Sequence, residues 1–285
     1  MSTIRNQVGR AALAMAALGA AYLALGAWRA QRQRAQWLCP PLPPPSERRR
    51  VVVLGAGFGG LYTTMRLEEV LRHEPAVELT LLDRHNYHLF TPMLTLVAGG
   101  LVEARHVIYP VRRLLRQRCF TFRESEVRAV DLQARLVETL DAPLSYDCLV
   151  LALGGVTNFF NIPNIAELSF PFKTVADAVR LRNHIIDMFE RAAVETDPRL
   201  RRELLTFVIV GGGPTGVELA ANLHDFMHDS LVEEYPALDF SEVRVILAEA
   251  RERILPNFPA DLAQVAARPL RATRVHLHAR AAIRA

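Results

Sequence analysis

The sequence predicts an α/β protein of two three-layer units, the second inserted into the first and incomplete at the C-terminus. Three observations carry that expectation. A segment at residues 49–54 that ends in a β-branched, apolar run, 51–54, enters a glycine-rich turn and then a helical stretch. The same arrangement recurs 156 residues later. Each copy is followed by a second apolar run that ends at an acidic residue. Runs that are apolar at nearly every position suit strands buried on both faces of a parallel sheet. The 285 residues, 51% of them hydrophobic and 22% charged, are enough for a substantial core. Such a balance excludes a disordered, collagenous or disulfide-framework chain.

The formal charge of +4 conceals three regions. Residues 1–50 carry eight arginines and one acid, Glu47; residues 51–261 are net −8; residues 262–285 hold five arginines and no acid. No basic face runs through the folded body, so no nucleic-acid partner is expected. Lys173 is the only lysine, which reads as a composition bias toward arginine rather than recruitment of phosphate forks. Cys39, Cys119 and Cys148 lie far apart with no CxxC pair, and are expected as unpaired thiols in a reducing compartment.

Residues 11–28 form a charge-free run bounded by Arg10 and Arg29. As a helix it reaches ~27 Å, just short of a bilayer core. Arg29, Arg32 and Arg34 follow it, which by the positive-inside rule keeps the body cytoplasmic. A membrane anchor, an organelle targeting peptide and a misassigned start all fit this composition. Residues 40–45, Pro-Pro-Leu-Pro-Pro-Pro, predict a stiff spacer. The chain divides into an anchor and linker at 1–46, a first nucleotide domain at 47–165 and a second at 166–285.

The first turn reads Gly55-Ala56-Gly57-Phe58-Gly59-Gly60, followed by a helix at 61–72 and a strand at 77–82 that ends at Asp83. In G-x-G-x-x-G the first glycine makes the tight turn, the second admits a pyrophosphate, and the third lets helix and strand pack closely. The helix N-terminus offers its dipole to the phosphates, and Asp83 is placed to accept bonds from a ribose hydroxyl pair. The second copy reads Gly211-Gly212-Gly213-Pro214-Thr215-Gly216 after the strand at 205–210, with a helix to about Met227. A strand at 243–247 then ends near Glu249, after a polar loop at 229–242. Glu249 favours NADH because it repels a 2′-phosphate, while Arg251 and Arg253 keep NADPH open. Two fingerprints imply two dinucleotides, and hydride transfer between a nicotinamide and a second carrier, most often a flavin. A duplicated unit with one dead site is the other reading.

Between the fingerprints, residues 120–122, 126–131 and 135–140 alternate and predict an antiparallel meander. Residues 146–153 predict a buried strand, with Cys148 a buried thiol, running into Gly154-Gly155. That turn either brings amides to a cofactor or is a plain strand exit. Residues 176–192 predict a helix bridging the units, with Val179, Ile185, Ile186 and Phe189 on its apolar side. His85 and His88 are expected to be structural. No metal cluster, HExxH, GxSxG or P-loop is present in the sequence.

VVVLGAGFGG at 51–60, DRHNYHLFTP at 83–92, LVAGG at 96–100 and FKTVADAVRLR at 172–182 resemble type II NADH dehydrogenases. So do VIVGGGPTGVELAA at 208–221 and VRVILAEARERILP at 243–256. The resemblance covers roughly residues 50–278. It implies FAD on the first fingerprint, NADH on the second, and electrons passing from hydride to flavin to a membrane quinone. The cofactor-binding positions it carries are Gly55, Ala56, Gly57, Phe58, Gly59, Gly60, Asp83, Arg84, Val127, Gly154, Gly211, Gly213, Pro214, Thr215, Gly216 and Glu249. Glu218 matches a family glutamate near the flavin–nicotinamide junction and is the expected catalytic residue, although a capping-region acid explains it equally well. The implied partners are NADH, quinone and, through the N-terminal helix, a bacterial inner or organelle membrane.

Three departures stand beside the resemblance. Ala152-Leu153-Gly154 replaces the usual ATG, Thr273 replaces a glycine, and the chain stops near the third strand of the second domain. The acid-free tail at 262–285 fits poorly with a strand-and-helix ending. The expectation is a type II NADH dehydrogenase by ancestry and chemistry, present as an N-terminal piece. The alternatives are a catalytically dead, membrane-tethered dinucleotide-binding remnant and a flavoprotein reductase with another acceptor.

Overall fold

A computed structural model describes Cys39 and residues 41–115, 118–273 and 275–283. The expected anchor at residues 11–28 lies outside the described residues. Among those described, no helix is long and apolar enough to cross a membrane.

The elements begin with β1 (Arg49–Leu54), α1 (Phe58–Leu71), β2 (Val77–Asp83), β3 (Tyr87–Leu89), α2 (Leu94–Ala98) and β4 (Ile108–Pro110). There follow β5 (Thr121–Glu124), β6 (Val127–Asp131), β7 (Leu136–Thr139), β8 (Leu144–Ser145) and β9 (Cys148–Leu151). The remainder comprises α3 (Val175–Val194), α4 (Pro198–Leu204), β10 (Thr206–Val210), α5 (Pro214–Asp225), β11 (Arg244–Glu249), α6 (Ala260–Ala272) and β12 (His276–Ala279). One compact unit holds the described residues up to Asn86 together with Pro110–Leu153. The other holds Tyr87–Tyr109 and the described residues from Gly154 onward, so β3, α2 and most of β4 pack with the second unit.

In the first unit a parallel sheet runs β5-β2-β1-β9, the strand order of a doubly wound nucleotide-binding fold. The two-residue period of β1 explains its layers. Val51 and Val53 pack with Leu61 of α1, Leu79, Leu81 and Phe122. Val52 and Leu54 pack on the opposite side with Leu82, Val137 and Tyr146. The helix covers one face, and the antiparallel β6-β7-β8 meander covers the other.

Four sequence expectations change here. Residues 120–122 were expected in the meander, but β5 pairs parallel to β2, and the third meander strand is Leu144–Ser145. An alternating segment fits either kind of sheet, and burial of Phe122 beside Leu81 decides which. The strand at 146–153 is not buried, because β9 has a single neighbour, β1, and exposes Leu151. Cys148 is accordingly an exposed free thiol, not a buried one. Cys39 and Cys119 form a disulfide across 80 residues, so two of the three cysteines are paired.

Polar contacts tie the sheet's entry edge. Arg50 forks onto Asp147, its Nε and Nη2 both at 3.2 Å from the carboxylate, and its amide donates to Oδ2 at 2.7 Å. Arg50 also donates to the Ser145 hydroxyl. The guanidinium and amide of Arg50 hold the Asp147 carboxyl at about 2, below its ordinary 3.8. Its contribution to stability is therefore complete above the ordinary carboxylate range and is lost as pH falls through about 2. Acid unfolding followed by circular dichroism should show this component in the natural chain and not in Asp147→Asn.

Glu68, 2% exposed, sits near the opposite end of α1 from the glycine turn. Arg72 reaches its two oxygens at 3.0 and 3.2 Å, Arg118 donates at 3.0 Å, and the Cys119 amide donates at 3.3 Å. A carboxylate so far out of water persists only with such a set of donors.

The second unit carries the parallel sheet β10-β11-β12. Helix α3 starts in a reciprocal capping box, the Thr174 hydroxyl accepting from the Asp177 amide and the Asp177 carboxylate from the Thr174 amide. Its expected apolar side is buried, with Ile185, Phe189 and Ala192 in this unit's core beside Leu205, Phe207 and Leu223. The expected loop at 229–242 is partly helical. Helix α5 continues as a π-helical turn at Phe226–Leu231, in which Met227 and Leu231 are buried. The tail also departs from expectation, since it forms α6 and β12, which pairs parallel to β11. Ala263, Ala267 and Leu270 bury one stripe of α6, and Arg268 and Arg271 lie exposed.

The LVAGG segment has a packing reason. Leu94, Val97 and Ala98 are buried in the same core. At Gly99 a methyl group would stand 2.9 Å from the Asn222 carbonyl oxygen of α5, so only glycine lets the chain rest there.

Candidate functional site

Each unit presents a glycine turn at the carboxyl end of a parallel strand, β1 in one and β10 in the other, and the two turns correspond bond for bond. Gly55 and Gly211 adopt φ of 101° and 107°, a region that disfavours any side chain. Gly55 donates to the Leu82 carbonyl at 2.7 Å, and Gly211 to that of Ala248 at 2.8 Å. A methyl on Gly60 would stand 1.7 Å from the Gly55 carbonyl oxygen, and one on Gly216 1.9 Å from that of Gly211. The third glycine of each motif thus permits helix and turn to touch. Over the second glycines, Gly57 and Gly213, nothing lies within 4 Å of where a methyl would be. That open space is what backbone approach to a pyrophosphate needs.

The acids repeat as well. Asp83 accepts from the Ala56 amide at 2.6 Å and from the His85 amide at 2.8 Å. Glu249 accepts from the Gly212 amide at 2.8 Å and from the Arg251 amide at 2.8 Å. Each carboxylate is bound to its own glycine turn through one oxygen and to the residue two positions ahead through the other. A carboxylate oxygen accepts more than one bond, so each pair retains acceptor capacity for a ribose. The longer gap before Glu249 is taken up by the helical turns at 226–242, and the end geometry matches that of Asp83.

Helices α1 and α5 begin at Phe58 and Pro214, with no side-chain cap on Gly57 or Gly213. Their positive dipole ends point at the turns, as an anion site requires. Phe58 stacks on Tyr62 with ring centroids 6.2 Å apart, Gly59 lies in the first turn of α1, and Thr215 in that of α5. Ala152 closes the first turn, its carbonyl oxygen 2.2 Å from a methyl built on Gly55. Leu153, one of the departures, is exposed, and Gly154 has φ 75°. Arg84 is exposed beyond β2, and Val127 is half-buried at the start of β6. Glu218 is exposed in the second turn of α5.

Arg251 donates to Asn257 at 3.2 Å, and Arg253 to the Phe258 carbonyl at 2.9 Å. Both guanidinia are thus engaged by the 256–258 segment. One polar group was not anticipated. Ser125, 5% exposed, follows β5, donates its amide to the Asp83 carbonyl at 2.9 Å, and has a buried hydroxyl without a partner among the described residues. It belongs to no motif, and only the folded β2–β5 register brings it beside Asp83. The open space at Gly57, the acid and this buried hydroxyl fit a dinucleotide at the first turn. Among the described residues no cluster could hold a metal ion.

Two such sites on one chain define the class of two-dinucleotide oxidoreductases. The chain belongs to the pyridine nucleotide-disulphide oxidoreductase family, whose pattern matches residues 49–285. It is 35% identical over 229 residues to an external alternative NAD(P)H-ubiquinone oxidoreductase B4, mitochondrial, of Arabidopsis thaliana, covering 75% of this chain and 38% of that protein. It is 35% identical over 244 residues to the type II NADH:quinone oxidoreductase Ndh of Mycobacterium tuberculosis, covering 83% and 51%. In fold it is similar to NDH2 from Plasmodium falciparum in complex with NADH, with a TM-score of 0.74 and 24% identity over 81% of this chain and 48% of that one. The chain spans about half, or less, of the length of these relatives.

Proposed function

We propose that this chain carries the two dinucleotide sites of a flavin-dependent NADH:quinone oxidoreductase, with FAD at the first turn and NADH at the second. The observation that carries the reading is the repeated glycine-turn geometry, closed in each unit by an acid bonded to the turn. When bound, FAD would accept a hydride from NADH and pass its electrons to a quinone.

The chain's own residues hold the two dinucleotides. Asp83 and Glu249 receive the ribose hydroxyls, and the ends of α1 and α5 face the phosphates. The charge of Glu249 disfavours a 2′-phosphate, which supports NADH over NADPH. Arg84, Val127 and Gly154 join the cofactor set, and Glu218, on the helix that begins at the second turn, is the proposed catalytic residue. By this reading the domain at 47–165 serves FAD and that at 166–285 serves NADH. The leader holds the protein at a membrane, with the catalytic body on the cytoplasmic side.

The test is reconstitution of the full chain with FAD, followed by NADH titration and a quinone assay. A yellow protein that oxidises NADH and reduces quinone is expected. Binding of adenine nucleotides without turnover would reassign the chain to a nucleotide-binding role, and failure to bind either dinucleotide would refute the proposal.

A further inference from the structure

The proline-rich linker is fastened at both ends. At one end Cys39 is bonded to Cys119. At the other, the Arg48 guanidinium donates to the Pro43 carbonyl at 2.7 Å and pairs with Glu78 at 3.3 Å. Between them lies a short turn at Pro45–Glu47. The strap borders a cavity of about 440 Å³ lined by Cys39, Leu42, Glu68, Arg72, Arg118 and Cys119 among others.

Cys119 is also joined to the fold behind it. Its amide and Arg118 are donors to buried Glu68, and Thr121, two residues on, opens β5. β5 pairs with β2 through to Asp83 opposite Glu124. The bond therefore ties the strap, the Glu68 donors and the start of an edge strand into one assembly.

We propose that the Cys39–Cys119 bond is a reversible redox clasp, opened by a dithiol to free the strap and loosen the entry to β5. Cys39 is exposed and Cys119 half-buried, so the reductant's thiolate attacks the Cys39 sulfur. A mixed disulfide forms there, the protein's S–S bond breaks, and Cys119 leaves as a thiolate that takes up a proton. The reductant's second thiol displaces Cys39, which is protonated in turn. Two electrons and two protons pass to the protein, and the reductant becomes a disulfide. Opened, the strap is no longer pinned at Cys39, and as polyproline at ~3.1 Å per residue its residues 41–48 span at most about 25 Å. This inference does not depend on the bound dinucleotides.

The experiment uses the full chain purified without reductant and alkylated after denaturation. One alkylated cysteine, Cys148, and a linked peptide joining Cys39 to Cys119 are expected. Dithiothreitol under native conditions should expose all three thiols, and oxidised glutathione should restore the bond. Amide hydrogen exchange should then rise on the order of tenfold at Leu42, at 46–48 and in 118–124 on reduction, with little change elsewhere. Cys39→Ser should give the reduced pattern without reductant, and Cys148→Ser should leave the oxidised pattern intact. Three free thiols after oxidised glutathione, a bond that dithiothreitol cannot open without denaturant, or identical exchange in the two redox states would each overturn the clasp.

Discussion

Gly60→Ala is expected to destabilise the first unit by ~3 kcal/mol or more, at the top of the usual overpacking range. The added methyl meets a backbone carbonyl at 1.7 Å, and a backbone atom in a tight turn cannot swing aside as a flexible side chain would. Relief requires helix α1 to shift off the turn, which also breaks the geometry that holds Asp83 to Ala56. Gly57→Ala is the matched control. Its φ of −69° and ψ of −169° suit alanine, and its methyl would meet nothing within 4 Å. Stability should stay within about 0.5 kcal/mol. Flavin binding should nevertheless fall, because the methyl occupies the approach reserved for a pyrophosphate. Gly216→Ala and Gly213→Ala should repeat the contrast for NADH in the second unit. Thermal unfolding and dinucleotide titration separate the outcomes. Wild-type stability in Gly60→Ala would disprove the close approach, and wild-type flavin affinity in Gly57→Ala would disprove the assigned phosphate path.

Removing both Arg72 and Arg118 as alanines should cost about 3–5 kcal/mol, the range for a buried charge stripped of its partners. Glu68 would keep only the Cys119 amide at 3.3 Å among its present donors. The arginines themselves are partly exposed, so the penalty comes from stranding the carboxylate and not from losing two surface charges. Urea unfolding at neutral pH measures the loss. A deficit of about 1 kcal/mol or less would show that the arginines act as surface charges and through packing of their stems, not as the partners a buried carboxylate requires.

Both experiments probe features of different legibility. The glycine turns could be read directly, because each requirement is local. A positive φ, an open second position and a crowded third one are demands on residues five apart in the chain. The acids followed from strand length, since a buried strand of fixed rise delivers its last residue to the end of the sheet that bears the turn. Ser125 and the Glu68 donors could not be read so. Their partners come from other elements, and neither Arg118 nor Ser125 stands in a recognisable pattern.

Local chemistry thus specified two strand–turn–helix–strand units, their order and the residues lining each turn, because backbone conformation and side-chain period are settled within a few residues. Contacts distant in the chain settled the rest. The alternating segment ending at Phe122 joined the parallel sheet because Leu81 offered it a buried face. The arginine-rich tail became a helix and strand because Ala263, Ala267 and Leu270 found a core to cover, which leaves Arg268 and Arg271 in water. Cys148 was left exposed because its strand has one neighbour, and Cys39 met Cys119 because the linker lies against the segment that leads into β5. Pairing and burial of this kind depend on which surfaces meet, and no short stretch of sequence carries that information.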